Sequence, residues 1–342
     1  MARFSVLLIV TLLAGVAIHS QPAPPRRIVS LVPAVTEMLF AMGAGAAVVG
    51  VSSHDRFPPE AAALPRVGAL VDPDVERVLS LRPDLVIVYG SQAELIQRLA
   101  RAGISSFQYR HGGLAEITGT IRDIGQRIGR SAEANAVASR MEGNIAQIRR
   151  QVASRPRPAT LVVIGREPGG LRAIYASAGV GFLHDMLVAA GGRDVFADVP
   201  RESLQVSVEV LLARAPDVIL ELRPSDGWTG DRIARERAVW NDVPALPAVR
   251  ANQIHILADD RLLVPGPRVA DAVRRFAATL HPGAFAARPS APDLSIVLLG
   301  VPPAARRVRL EATRGDAPRH GLIGPGGPAL AAESRTSRDR RP

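Results

Sequence analysis

Histidine is the residue type here best suited to metal or proton chemistry, because imidazole titrates near neutrality and ligates iron, cobalt or zinc. Of seven, His19 and His320 lie near the chain ends, while His54, His111, His184, His255 and His281 lie in the body without close metal-ligand spacing. A bare zinc or manganese site built from three histidines and a carboxylate stays open on that count. Nucleophilic chemistry has less support. The chain has no cysteine, which excludes thiolate ligands, disulfides, cysteine nucleophiles and a lipidated N-terminal cysteine. His111-Gly112-Gly113 is similar to the oxyanion loop of esterases, but no Gly-x-Ser-x-Gly elbow follows it. Residues 165–170 are glycine-rich without the lysine of a phosphate-binding loop. An exported hydrolase on a two-lobed α/β scaffold is the alternative of a different class.

Charge gives a second set of candidates. All 42 basic residues are arginine, and the net charge of +10 raises nucleic acid as a partner. Half of that excess falls in residues 283–342, where ten arginines face five acids. The segment also holds eight prolines and seven glycines, and reads as a disordered basic tail. Three tyrosines and two tryptophans are too few for a tandem single-strand platform. At the other end, Arg3 precedes an uncharged, mostly apolar stretch over 4–18, broken by Ser20, Gln21 and Pro22. This layout predicts a signal peptide over 1–20, with an uncleaved anchor as the alternative. Export removes nucleic acid as the expected partner.

The elements that must position these residues repeat. A segment running from Glu76 through Pro83-Asp84 into a β-branched run returns 133 residues later as Glu209, Pro216-Asp217 and a second such run. Each copy predicts a short helix, a turn and a buried parallel strand. Glu37-Met38-Leu39, closed by Gly43, is echoed by Asp185-Met186-Leu187, closed by Gly191. Two echoes in one order predict two similar α/β lobes, over 26–113 and 158–282. Between them 114–155 reads as helical, interrupted at 129–131, with Ala138, Met141, Ile145 and Ile148 as its apolar stripe. The expected fold is α/β: two Rossmann-like lobes with parallel sheets, joined stiffly by one long α-helix.

Over roughly 26–282 the chain resembles the periplasmic substrate-binding proteins of ABC importers that serve ferric siderophores, haem and cobalamin. The resemblance rests on 27–37 (RIVSLVPAVTE), on 49–53 (VGVSS) with Phe57-Pro58-Pro59-Glu60, and on the duplicated Glu…Pro-Asp segments. It implies a rigid non-enzymatic receptor, periplasmic and monomeric, with a ligand cleft between the lobes. It also implies that Glu76 and Glu209 dock on arginines of the membrane permease, the only link to the membrane apart from an uncleaved anchor.

Loops at the carboxyl ends of the strands should line the cleft. They supply His54, Asp55, Leu70, Tyr89 and His111 from the first lobe, and Arg166, Tyr175, Arg223, Trp228 and Arg261 from the second. By the resemblance, His54 falls where such receptors place an aromatic or metal-facing side chain, which makes it a candidate axial ligand. Residues 57–60 and 68–76 look most like the cobalamin-type members. The tryptophans such members carry near Leu70 and before Glu209 are missing here. Arginines at 166, 223 and 261 suit an anionic ferric siderophore or haem propionates instead. No resident cofactor is expected; the chelate is cargo.

Overall fold

The buried run Ile28–Ser30 (β1) pairs in parallel with Val48–Val51 (β2) on one side and Leu85–Tyr89 (β3) on the other. Ser105–Tyr109 (β4) adds to β3, so the first sheet has the order β2-β1-β3-β4. Parallel pairing needs a crossover between strands. Pro33–Ala41 (α1), Val75–Ser80 (α2) and Ala93–Arg101 (α3) provide these. Pro33 opens α1 at a position where a missing N–H costs nothing. Asp74 caps α2 by accepting from the Arg77 N–H at 2.8 Å. This computed structural model describes residues 23–285. The expected signal segment lies outside the described residues, as does the expected tail except for 283–285, which belong to the short helix Pro282–Phe285.

Leu114–Arg127 (α4) and Ser131–Val152 (α5) connect the lobes as two packed helices, divided where the sequence places the break. Ala138, Met141, Ile145 and Ile148 are all buried, as the stripe requires. One continuous set of buried apolar side chains runs from Ile28 and Met38 through Ile121 and Ile145 to Val162 and Phe276. The connection is therefore part of the core, which supports a stiff joint. Among the described residues no helix is long and apolar enough to cross a membrane.

The second sheet contains Ala159–Gly165 (β5), Ile174–Ser177 (β6), Arg193–Asp194 (β7), Ser203–Val206 (β8), Val218–Arg223 (β9) and Ile254–Ala258 (β10). Its order is β10-β9-β5-β6-β8, with β7 pairing β5. Strands β5, β7, β9 and β10 are parallel, but β6 runs antiparallel to both β5 and β8. This sheet is thus mixed rather than parallel throughout. The loop from β5 to β6 is too short for a crossover, so the chain turns straight back. Phe182–Ala189 (α6), Val208–Arg214 (α7), Gly230–Ala238 (α8), Pro247–Arg250 (α9) and Val269–Leu280 (α10) complete the lobe.

The internal repeat holds at the level of single atoms. Arg82 and Ala215, the residues before each Pro-Asp pair, both adopt left-handed backbone, with φ of 46° and 45°. Asp84 accepts from the Arg26 and Arg27 N–H groups; Asp217 accepts from the Ala159 N–H at 2.9 Å. Each aspartate pins its own strand to the start of the strand beside it. Gly43 and Gly191 close α1 and α6 with φ of 71° and 82°, where a side chain would be strained.

Candidate functional site

Carboxyl ends of strands from both sheets face each other across a cavity of about 320 Å³. Pro33 follows β1, His54 and Phe57 follow β2, Pro224 follows β9, and Asp260 and Val264 follow β10. A larger hollow of about 550 Å³, lined by Asp84, Phe107 and Asp123, lies at the amino ends of β3 and β4. Ligands of open α/β sheets bind at the other end, so the smaller interlobe cavity is the candidate site.

Two ion pairs join the lobes here. Arg268, before α10, donates to Glu37 of α1 from Nε at 2.9 Å and from Nη2 at 2.5 Å. Glu37 is only 4% exposed; burial pushes its carboxyl up, and the Arg268 hydrogen bond and charge oppose that only in part. The Arg268 guanidinium also stands 3.8 Å from the centre of the Phe57 ring. Arg56 pairs with Asp226 across the same opening. Asp260 accepts from the Ser225 N–H and hydroxyl at 3.0 and 2.6 Å, fixing the loop that carries Asp226 and Trp228.

Beside the cavity, 52–55 form a tight turn. Asp55 accepts from the Ser52 N–H at 2.8 Å, and the Ser52 hydroxyl accepts from the His54 N–H at 3.2 Å. Arg66 ties the turn down through the Ser52 and Asp55 carbonyls. Asp55, expected in the cleft, is 1% exposed and turned inward; it shapes the loop that presents His54. Burial raises its pKa against the pull of its hydrogen bonds, and Oδ1 has no protein partner. A carboxyl raised on folding stabilises the fold at low pH, and that contribution fades as pH climbs through the folded pKa. Asp55→Asn should therefore raise the unfolding free energy at pH 7, by on the order of 1 kcal/mol. Its advantage should shrink toward pH 4, as thermal melts across that range would show. An Asp55→Asn variant that is less stable than the parent at pH 7 would refute the assignment.

The three arginines expected to meet an anion are each engaged with carboxylates. Arg166 is the clearest correction: its side chain and that of Glu221 are both 0% exposed, and it points into the lobe. It donates to Glu221 and to the Gly170 carbonyl, and pairs with Glu236. Arg223 donates to the other Glu221 oxygen and lies 5.3 Å from the Trp228 ring centre. Arg261 pairs with Asp259 at 2.7 Å, and that contact draws the Asp259 carboxyl down against the opposing effect of burial. Trp228 itself is half-buried, with Arg232 at 4.4 Å. Tyr175 lies exposed on β6 opposite Gln205, and Leu70 lines a hollow between its loop and α3. Neither borders the 320 Å³ cavity.

Tyr89 and Tyr109 end adjacent strands in register, and His111 packs on both, at ring distances of 5.7 and 5.2 Å. Burial pushes the Tyr89 phenol up to about 12 and Tyr109 further, the Tyr109 effect including Tyr89 and the Glu202 carboxylate of the second lobe. Of this aromatic cluster, Tyr89 and His111 were expected on cleft loops and Tyr109 was not. Glu37, Arg56, Phe57, Asp226 and Arg268 were also missed as cleft residues. One signal was available: Glu37 is the lone charge in a mostly apolar helix, and a buried carboxylate needs a partner.

Glu76 and Glu209 are exposed, each the second residue of its short helix, α2 and α7. Among the described residues no group of three His, Asp or Glu side chains is placed to hold a bare metal ion.

Residues 28–260 match the family model described as periplasmic binding protein. A vitamin B12-binding protein of Pectobacterium carotovorum is 26% identical over 271 residues, covering 78% of this chain and 93% of that one. The structure of the periplasmic vitamin B12 binding protein BtuF of Vibrio cholerae aligns with a TM-score of 0.66 at 27% identity. It covers 77% of this chain and all of that one. The periplasmic heme-binding protein RhuT from Roseiflexus sp. RS-1, in apo form, aligns at 0.63 and 28% identity, over 76% and 99%.

Proposed function

This chain belongs to the periplasmic binding protein family, and on that premise we propose that its ligand is a cobalamin-type metal chelate. It is the substrate-binding component of an ABC importer and works outside the cytoplasm. Bound between the lobes, the chelate is handed unchanged to a permease that docks on Glu76 and Glu209.

The observation that carries the ligand class is charge compensation. Around the cleft, Arg56, Arg223, Arg261 and Arg268 each meet a carboxylate: Asp226, Glu221, Asp259 and Glu37. A neutral, amide-rich chelate fits such a surface without displacing an ion pair. Haem propionates or an anionic siderophore would have to compete with a carboxylate already in place, and breaking the largely buried Arg268–Glu37 or Arg223–Glu221 pair is costly. Haem is the second reading, favoured by the 28% identity to the heme-binding protein and by the two exposed histidines beside the cleft.

Titration with cyanocobalamin, haemin and a ferric hydroxamate, followed by tryptophan fluorescence, discriminates these. Trp228 is half-buried on the loop that crosses to Arg56, whereas Trp240 is fully buried. Cobalamin should bind at micromolar Kd or tighter, should quench Trp228, and should not be chemically altered. Tighter haemin binding would move the assignment to haem, and turnover of the ligand would remove the receptor reading.

A further inference from the structure

Five arginines gather at the amino ends of the second sheet, on the side of that lobe away from the cleft. Arg149 and Arg150 end α5, Arg155 and Arg157 lie in the link to β5, and Arg193 opens β7. All five are exposed. We infer that they form a basic foot that rests on the phosphate headgroups of an anionic lipid bilayer.

Backbone contacts bring the five together. The Arg155 N–H donates to the Val152 carbonyl at 2.9 Å, folding the link back on the end of α5. The Arg193 N–H donates to the Pro158 carbonyl at 3.0 Å, and Arg193 stands in register with Ala159, the first residue of β5. Arg157 Nη2 reaches the Gly192 carbonyl at 3.2 Å, beside Arg193.

Charge here is left uncompensated. Residues 149–157 hold four arginines and no acid. Arginines elsewhere on the surface do find carboxylates: Arg98 meets Glu94, and Arg214 meets Asp198. Among the described residues none of the five is in an ion pair. Acids at this end serve the fold instead. Asp217 accepts from the Ala159 N–H at 2.9 Å; Asp194 accepts from the Phe196 N–H at 2.9 Å and contacts His184.

Guanidinium forks match phosphate oxygens, so the partner that suits them is a phosphate surface. The five come from a helix end, a link and a strand end, and all stand in solvent. Such a set reads charge spread over a plane, as a bilayer presents it, and not one enclosed group. The chain works outside the cytoplasm, which leaves lipid rather than nucleic acid as the source of phosphate.

The foot is separate from the cleft. α10 starts beside Arg268 in the cleft wall and ends twelve residues on, roughly 18 Å away. There Leu280 and His281 lie against Gly192 and Gly191, next to Arg193. α7 likewise runs from Glu209 toward the Pro216-Asp217 turn at the amino end of β9. A receptor held by this foot keeps its cleft and Glu209 clear of the bilayer.

Co-sedimentation of the full chain with lipid vesicles tests this without any cleft ligand. The chain should bind vesicles of phosphatidylglycerol with phosphatidylcholine at about 50 mM salt, and at least about tenfold more weakly at about 500 mM. It should not bind vesicles of phosphatidylcholine alone. Arg155→Glu with Arg157→Glu and Arg193→Glu should weaken binding at least about tenfold. The same three changed to Gln should fall between this variant and the parent. A control with equal loss of charge, Arg77→Glu with Arg110→Glu and Arg235→Glu, alters exposed residues outside the foot and should bind within about threefold of the parent. Thermal melts by circular dichroism report that each variant is folded. The control matters because residues from 286 on hold ten more arginines against five acids. Equal weakening in foot and control variants would assign the effect to net charge and overturn the inference. Undiminished binding by the foot variant would overturn it too, as would equal binding to neutral vesicles or no binding to anionic ones.

Discussion

Glu221→Ala should destabilise the chain by about 3–5 kcal/mol, a large share of the roughly 5–15 kcal/mol that holds a domain together. Glu221 is fully buried in β9 and accepts from four donors on three side chains. Oε2 receives Arg166 Nε at 3.1 Å and the Trp240 indole N–H at 2.9 Å; Oε1 receives Arg223. Removing the carboxylate leaves a buried guanidinium with only Glu236 to balance it and an indole N–H without a partner. The cost should exceed that of a simple cavity because the charge left behind stays desolvated. Urea unfolding followed by circular dichroism reads the loss, and Trp240 fluorescence should report it at the same midpoint. Arg166 holds the 166–170 loop through the Gly170 carbonyl, and Arg223 links Glu221 to Trp228 at the cleft. Glu221→Gln, which keeps the shape and loses the charge, should fall between the parent and the alanine variant. A loss under about 1 kcal/mol for Glu221→Ala would mean that the network is not the keystone of this lobe.

Charge reversal at both proposed docking positions, Glu76→Arg with Glu209→Arg, should reduce chelate uptake at least about tenfold while leaving chelate binding unchanged. Both side chains are exposed and stand at the same place in α2 and α7, one on each lobe. Two matched anions suit a permease that presents one surface twice about a two-fold axis. Surface substitutions of this kind change stability by about 0.5 kcal/mol or less, so folding should be preserved. Each single reversal should give a smaller defect than the pair. Uptake into cells or permease-bearing vesicles, measured beside equilibrium binding, checks both halves. Loss of binding in the double variant would refute the docking role, and so would normal uptake.

Features of this molecule that depend on local chemistry were legible in the sequence. The Pro-Asp turns, the glycine-closed helices and the break at 129–131 all follow from constraints acting over a few residues, and the structure keeps each of them. The two-lobed α/β fold was legible through their repetition. The antiparallel arm at β6 was not, although a loop too short for a crossover required it. Side-chain direction was the harder problem. Arg166 sits in a loop at the end of β5, where cleft residues belong. It turns inward because Glu221 and Glu236, 55 and 70 residues away in sequence, receive it there. Glu37 and Arg268 are 231 residues apart, and no local pattern joins them. Such pairings decide the charge of the cleft, and with it the class of ligand, so ligand identity was the least legible property of all.

Calorimetric titration with cyanocobalamin at about 50 mM and about 500 mM salt tests the charge-compensated cleft most directly. A neutral chelate held among paired charges should bind with micromolar Kd or better, and that Kd should change by less than about twofold between the two conditions. No binding of cyanocobalamin, or binding of haemin alone that weakens steeply with salt, would contradict it.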